Sequence, residues 1–148
     1  MFQRVLITGS REWTDTTVIR DALASVWHPK TILMSGKNRR GADAMCEGCW
    51  KQWGGRVDCY PAQWYVDGEY RPSAGFRRNE EMVQSAVNLG AERCLAFIVD
   101  GSPGATHAAE LARAKGIWTT FYRATSQREP ALSSQPRVPG GLSLAVPY

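Results

Sequence analysis

Histidine is nearly missing from this chain: only His28 and His107 occur among 148 residues. With no H-E-x-x-H pattern either, the usual imidazole-rich metal sites are excluded. Cysteine is sparse, at Cys46, Cys49, Cys59 and Cys94. Cys46-x-x-Cys49 has a metal or redox spacing, but both residues fall on the apolar stripe of an expected helix. Cys94 begins a strand at the opposite edge of the fold, so a four-cysteine zinc site is not expected. No metal and no cofactor is assigned. The chain lacks any apolar run near the about 20 residues that cross a bilayer. No secretory leader is expected before Met1. The expectation is a cytoplasmic protein with reduced thiols and no membrane partner. Dense Lys/Arg runs are absent as well, and the P-loop signature G-x-x-x-x-G-K-[ST] is unmet. Gly36-x-x-x-x-Gly41 is followed by Ala42-Asp43, which argues against an ATPase of that type.

What is present suffices for one core: 43% of the residues are hydrophobic, consistent with a single domain. From about Ala124 the chain turns to Ser, Pro, Gly and Gln without any period of two or 3.6. The reading is a domain over residues 1–123 and a flexible tail over 124–148. Arg128, Glu129 and Arg137 give that tail +1, leaving +3 of the overall +4 to the domain. The domain's cations sit mainly in expected loops: Arg11, Lys37, Arg39, Arg40, Arg71, Arg77 and Arg78. That placement fits a focused anion pocket and argues against a polynucleotide partner.

Periodicity gives an alternating series. Gln3–Thr8 reads as a buried strand, and Asp15–Val26 as a helix with Val18, Ile19, Ala22, Leu23 and Val26 on one face and Thr14 as N-cap. Thr31–Ser35 is a second strand. Ala42 to Trp53 has helical spacing through Met45, Cys46, Cys49 and Trp50. Gly54-Gly55 ends that helix, and Arg56–Tyr60 is a third strand. Pro61 to Ala74 reads as irregular. A helix follows over Gly75–Leu89, then a strand at Cys94–Val99, a helix at Ala105–Lys115 and a fifth strand at Trp118–Tyr122. Continuous apolar strands alternating with helices predict a doubly wound parallel sheet of Rossmann-like type.

Glycines gather where three of these strands end: at Gly9, at Gly36 and Gly41, and at Gly101 and Gly104. Glycine allows close backbone approach, and the N–H groups opening the next helix favour an anion. If the first strand lies between the second and the fourth, the three loops converge on one site. In the first loop, Ser10 and the backbone would hold phosphate beside Arg11, and Trp13 could stack on a base; the alternative is an ordinary tight turn. In the second, Lys37, Arg39 and Arg40 supply charge, and Asp43 either caps its helix or accepts from a ribose hydroxyl. In the third, Ser102 and Thr106 add hydroxyls, and His107 either meets a phosphate or caps. Arg77, Arg78 and Asn79 open a further helix, where guanidinium groups clamp phosphate or pair with Glu80 and Glu81. Trp64, Tyr65, Tyr70 and Phe76 form either a lid over a nucleobase or a hydrophobic cover.

Taken in order, Thr8-Gly9-Ser10-Arg11 with Trp13 and Asp15, Ser35-Gly36 through Arg40-Gly41-Ala42-Asp43, Pro61-Ala62-Gln63-Trp64, Ala74-Gly75-Phe76-Arg77-Arg78-Asn79-Glu80-Glu81-Met82 and Gly101-Ser102-Pro103-Gly104-Ala105-Thr106-His107 resemble the SLOG superfamily (Smf/DprA and LOG-like). Within it, the YspA-type, cpYpsA-related branch is the most similar. The resemblance spans about Met1 to Tyr122. It implies a Rossmann-like fold that binds a nucleotide or nucleotide derivative. LOG-type relatives cleave the N-glycosidic bond of nucleoside monophosphates, other relatives sense nucleotide signals, and DprA-type relatives bind single-stranded DNA. Some dimerise through helices, so a homo-oligomer is an expectation. Arg78 matches the arginine that LOG enzymes place near the sugar, and Asn79 stands in place of their lysine. Two departures matter. LOG hydrolases carry P-G-G-x-G-T-x-x-E, and the glutamate position is Ala108 here; Glu110 lies two residues on, turned about 200° around the helix. The common form Gly-Gly-Ala-Arg-Gly-Ala-Asp is one residue longer here and more basic.

The sequence therefore predicts a nucleotide-binding domain used for sensing or sequestration. Its ligand contacts are expected among Gly9, Ser10, Arg11, Gly36, Lys37, Arg39, Gly41, Asp43, Arg78, Asn79, Gly101, Ser102, Gly104 and Thr106. A phosphoribohydrolase using Arg78 as its catalytic residue is the alternative, with Glu80, Glu81 or Asp43 as candidate carboxylate. Single-stranded DNA binding is a third reading.

Overall fold

The computed structural model describes residues 1–126; the segment read as a flexible tail lies, from residue 127 onward, outside the described residues. The chain runs β1 (Arg4–Gly9), α1 (Thr16–Ala24), β2 (Ile32–Ser35), α2 (Ala42–Gln52), β3 (Arg56–Cys59), β4 (Tyr65–Val66), β5 (Glu69–Tyr70), α3 (Ala74–Asn88), β6 (Arg93–Val99), α4 (Pro103–Ala114) and β7 (Trp118–Ala124). The long strands form one parallel sheet in the order β3-β2-β1-β6-β7. This is a single mixed α/β, Rossmann-like domain with helices on both faces.

Alternation along the strands divides the core. Val5, Ile7, Leu33, Leu95 and Phe97 pack with α1 and α2 residues such as Ile19, Leu23, Ala42 and Trp50 on one face. Leu6, Met34 and Cys94 meet Met82, Val83 and Ala86 of α3 and Ala112 of α4 on the other. Each central strand is thus apolar on both sides, which explains its unbroken hydrophobic run. Ala105, Ala108, Ala109 and Ala112 are buried along α4, and such short side chains let that helix sit close to β6. Cys46 and Cys94 fall in different layers, so the four cysteines do not meet; burial pushes the Cys94 thiol up to about 12. No helix among the described residues is long and apolar enough to cross a membrane.

Four local expectations are corrected. The N-cap of α1 is Asp15, not Thr14: its Oδ1 accepts from the Thr17 and Val18 N–H groups at 3.0 and 3.1 Å. The stretch expected to be irregular contains the antiparallel β4–β5 hairpin, turning through Asp67 and Gly68, both at positive φ. Helix α4 starts at Pro103 rather than Ala105, because proline's fixed φ and missing N–H suit the first helical position. Trp13 does not face a ligand. It is 1% exposed, meets Phe97 edge-on at 5.5 Å and donates its indole N–H to the Asp15 carbonyl at 2.8 Å. A large ring with its one donor satisfied is more stable in the core than on the rim.

The order β2-β1-β6 is what positions the site. After β1 the chain goes to α1 on one face, and after β6 to α4 on the other. The crevice at this switch point lies beyond the carboxyl ends of the strands.

Candidate functional site

Ser10 ties the loops of this crevice together. Its N–H donates to the Phe97 carbonyl at 2.8 Å, and its carbonyl accepts from Trp13 and Ala42 at 3.2 and 3.1 Å. Its hydroxyl oxygen accepts from the Val99 N–H at 2.8 Å and shares a hydrogen bond with the Ser102 hydroxyl. The loops after β1 and β6 and the start of α2 are held by one residue. Glycine is required here by contact: a Cβ at Gly9 would overlap Ala42 Cβ and fall 2.9 Å from the Phe97 carbonyl. Gly41, at φ 76°, presses against Ser10 and Arg11 in the same way.

Around this knot lies a cavity of about 430 Å³, within the range of small-ligand sites. Gly9, Ser10, Arg11, Gly36, Asp43, Arg78, Asn79, Ser102 and Gly104 line it, together with Asn38, Trp64, Gly75 and Phe76. Helices α3 and α4 both begin on its wall. Among the described residues the N–H groups of Gly75, Phe76, Gly104 and Ala105 have no hydrogen-bond partner. Two positive helix ends therefore face one space. Gly104 leaves open room where a Cβ would stand, so nothing in the protein itself demands glycine there.

Arg78 crosses from α3 to the sheet edge. Its Nη1 donates to the carbonyls of Gly36 and, at 3.3 Å, Tyr60, and its Nε donates to Asn79 Oδ1 at 2.9 Å. Among the described residues Nη2 has no partner. Asn79 is buried and donates through Nδ2 to the Gly104 carbonyl at 3.1 Å. The same amide lies 3.3 Å from His107 Nδ1. Acting as acceptor there, His107 carries its proton on Nε2 when neutral. His107 packs edge-on against Phe76 and does not line the cavity.

Asp43 is 2% exposed. Its Oδ2 accepts from the Asn38 N–H at 3.1 Å, while Oδ1 is buried without a partner among the described residues. It makes no capping bond to α2, whose N-cap is Gly41. Burial pushes its carboxyl up to about 6, against the opposing pull of the Asn38 hydrogen bond, Arg78 and Arg11. An unpartnered buried acceptor on a residue that lines a cavity is a candidate partner for a ligand donor. Of the three carboxylates considered from sequence, Asp43 alone lines the cavity; Glu80 and Glu81 are exposed. Ala108 is buried in α4, and Glu110 pairs with Arg113 at 2.7 Å.

Not every expected residue converges. Lys37 and Arg39 line an adjoining cleft, Gly41 lies beneath the loops, and Gly101 is outside the cavity. Thr106 lies outside it too, its hydroxyl buried without a partner among the described residues. Trp64 and Phe76 line the cavity. Trp64 stacks on Tyr70 of the hairpin at 6.2 Å, with the Arg11 guanidinium 5.9 Å from its ring. Sequence reasoning missed Glu47, which is buried and accepts the Ser35 hydroxyl at 2.5 Å. Its position one helical turn after Asp43 was the available signal.

Residues 3–64, which hold the first two glycine loops, match the family described as YspA, cpYpsA-related SLOG. The Gene 61 protein of Mycobacterium phage D29 is 39% identical over 121 residues, covering 78% of this chain and 92% of that protein. With the parallel sheet and the loops gathered at its switch point, these similarities establish that the chain belongs to the YspA, cpYpsA-related SLOG family.

Proposed function

We propose that the protein binds an intact nucleotide or nucleotide derivative in the 430 Å³ cavity, to sense or sequester it. Family membership supports a nucleotide-related ligand in general. One observation carries the specific reading: Asp43, whose buried Oδ1 has no partner among the described residues, lines the same cavity as the free N–H groups opening α3 and α4. The helix ends suit a phosphate, and the carboxylate suits a sugar hydroxyl. Trp64 and Phe76 offer an apolar wall for a base, and Arg78 Nη2 a further donor. Calorimetric titration with AMP, ADP-ribose and cyclic dinucleotides is the test. Binding heat that Arg78→Ala diminishes supports the reading; absence of heat with all of them contradicts it.

A second reading, LOG-like phosphoribohydrolysis, is favoured by one feature. A carboxyl that titrates at about 6 lies in the cavity close enough to Arg78 to feel its charge. In that reaction water adds to the anomeric carbon, the glycosidic C–N bond breaks, and the base leaves with the proton. Ionised Asp43 would accept the proton from water and pass it to the departing base, and Arg78 would hold the sugar phosphate. Ala108 at the family's glutamate position weighs against it. Base release from AMP, followed by chromatography and lost in Arg78→Ala, supports hydrolysis; silence with every common nucleoside monophosphate removes it.

A further inference from the structure

A second cleft adjoins the cavity at Arg78. Arg11, Gly36, Asn38, Arg40, Trp64 and Arg78 line the cavity and also line this cleft, of about 800 Å³ on the α2 side. The two spaces adjoin along those six residues. The first has the size for one nucleotide; the second is too large for a bare phosphate.

Charge in the second cleft is one-sided. Lys37, Arg39 and Lys51 join Arg11, Arg40 and Arg78 around it, and among the described residues Glu47 is its one carboxylate. That carboxylate is buried and engaged by the Ser35 hydroxyl. Among the described residues Lys37, Arg39 and Lys51 have no ion-pair partner, and Arg40 meets Glu12 only at 3.5 Å with both side chains mostly exposed. The loop carrying these cations is nonetheless anchored: the Lys37 N–H donates to Ser35 Oγ at 3.1 Å and the Asn38 N–H to Asp43 Oδ2 at 3.1 Å. Lys37 holds φ 58°, a left-handed conformation that is uncommon for a non-glycine residue. The cations are thus presented by an anchored turn, beside Ala44, Pro61 and Ala62.

We infer that the ligand extends past the first cavity and is a nucleoside 5′-diphosphate carrying a further polar group, with its second phosphate and that group held in the cleft by Lys37, Arg39, Arg40 and Lys51. This rests on the nucleotide-binding reading above. Arg11 and Arg78, on the shared wall, would bridge the two phosphates. The cations are grouped around one cleft that adjoins the cavity, which favours a small molecule over an extended polymer.

The test is calorimetry with AMP, GMP, CMP and UMP, each beside its diphosphate conjugate: ADP-ribose, GDP-mannose, CDP-choline and UDP-glucose. A ten-residue oligothymidylate and a thirty-residue one complete the set. The variant is Lys37→Ala/Arg39→Ala/Lys51→Ala, all exposed positions, with its melting temperature checked against the parent. The expected result is at least one conjugate that binds about tenfold or more tightly than its monophosphate. The triple variant should abolish that gain while leaving the monophosphate affinity within about twofold. If a monophosphate binds and no conjugate binds better, or the gain survives in the triple variant, this inference is overturned and the nucleotide-binding reading stands. If no monophosphate and no conjugate binds, both fall. Oligothymidylate that binds more tightly with length and displaces the conjugates would make the cleft a polynucleotide site and would also overturn it.

Discussion

The guanidinium of Arg78 lies directly on Gly36. Nη1 donates to the Gly36 carbonyl, and a Cβ on that residue would stand 2.6 Å from Nη1 and 2.8 Å from Cζ. The contact is with the far end of a flexible side chain, so Gly36→Ala should displace the arginine and leave the fold in place. Stability within about 1 kcal/mol of the parent and nucleotide affinity reduced about tenfold are expected, read by thermal melts and calorimetry. Unchanged affinity would mean that Arg78 does not touch the ligand.

The glycines of the site divide by what surrounds them. Gly9→Ala places a methyl against Ala42 and the Phe97 backbone, and overpacking of that kind costs about 1–3 kcal/mol. Gly104→Ala meets open space near the start of α4 and should leave stability unchanged or raise it by up to about 1 kcal/mol. Gly104 lines the cavity, so Gly104→Ala should still weaken nucleotide binding. Denaturant melts paired with titrations separate these outcomes.

Asp43 ties stability to pH. The folded protein keeps this proton up to about 6, whereas the ordinary carboxyl value is 3.8. Between those values the unfolded chain releases the proton first, so stability falls as pH rises and levels off above about 6. Asp43→Asn keeps an acceptor for the Asn38 N–H and removes the buried charge. It should be more stable than the parent at pH 7.5 by on the order of 2–3 kcal/mol, with the gap closing below about pH 4. Ligand binding has the opposite sign. A hydroxyl donor bonds the ionised carboxylate more strongly than the neutral acid, so affinity should rise through about pH 6 in the parent. The amide of the Asp43→Asn variant cannot ionise, and that protein should retain only the pH dependence of the ligand's own phosphate, whose second ionisation is also near 6. Equal pH profiles for the two proteins would remove Asp43 from the binding account.

Ser10→Ala tests the knot. The buried Val99 N–H would lose its acceptor, and an unsatisfied buried donor costs about 1–3 kcal/mol. A melt unchanged in the variant would show that the three loops do not depend on this hydroxyl.

Much of the fold was legible because β1, β2 and β6 are apolar without alternation, and the α1 to α4 stripes repeat at helical spacing. The convergence of the glycine loops followed from the same reading once β1 lay between its neighbours. What the sequence left open depended on tertiary choice. Trp13 sits in a polar, glycine-led loop, and only the space beneath α1 decides that it turns inward. Thr14 and Asp15 are both good caps, and Asp, the somewhat stronger residue, takes the role. The β4–β5 hairpin is too short to leave a period. Asp43 is legible as a helix-start carboxylate, but its burial and its unpartnered oxygen arise only from the packing of the folded chain around it. Glu47 belongs to no motif in the sequence, and only the fold brings the Ser35 hydroxyl to it.

The most direct test of the central claim is native mass spectrometry of the purified full chain, incubated with mono- and dinucleotides and followed by product analysis. One intact nucleotide per chain, lost or weakened in Arg78→Ala, is the predicted result. A bare protein with every ligand, or free base with ribose 5-phosphate in solution, would contradict a module that binds its nucleotide and leaves it whole.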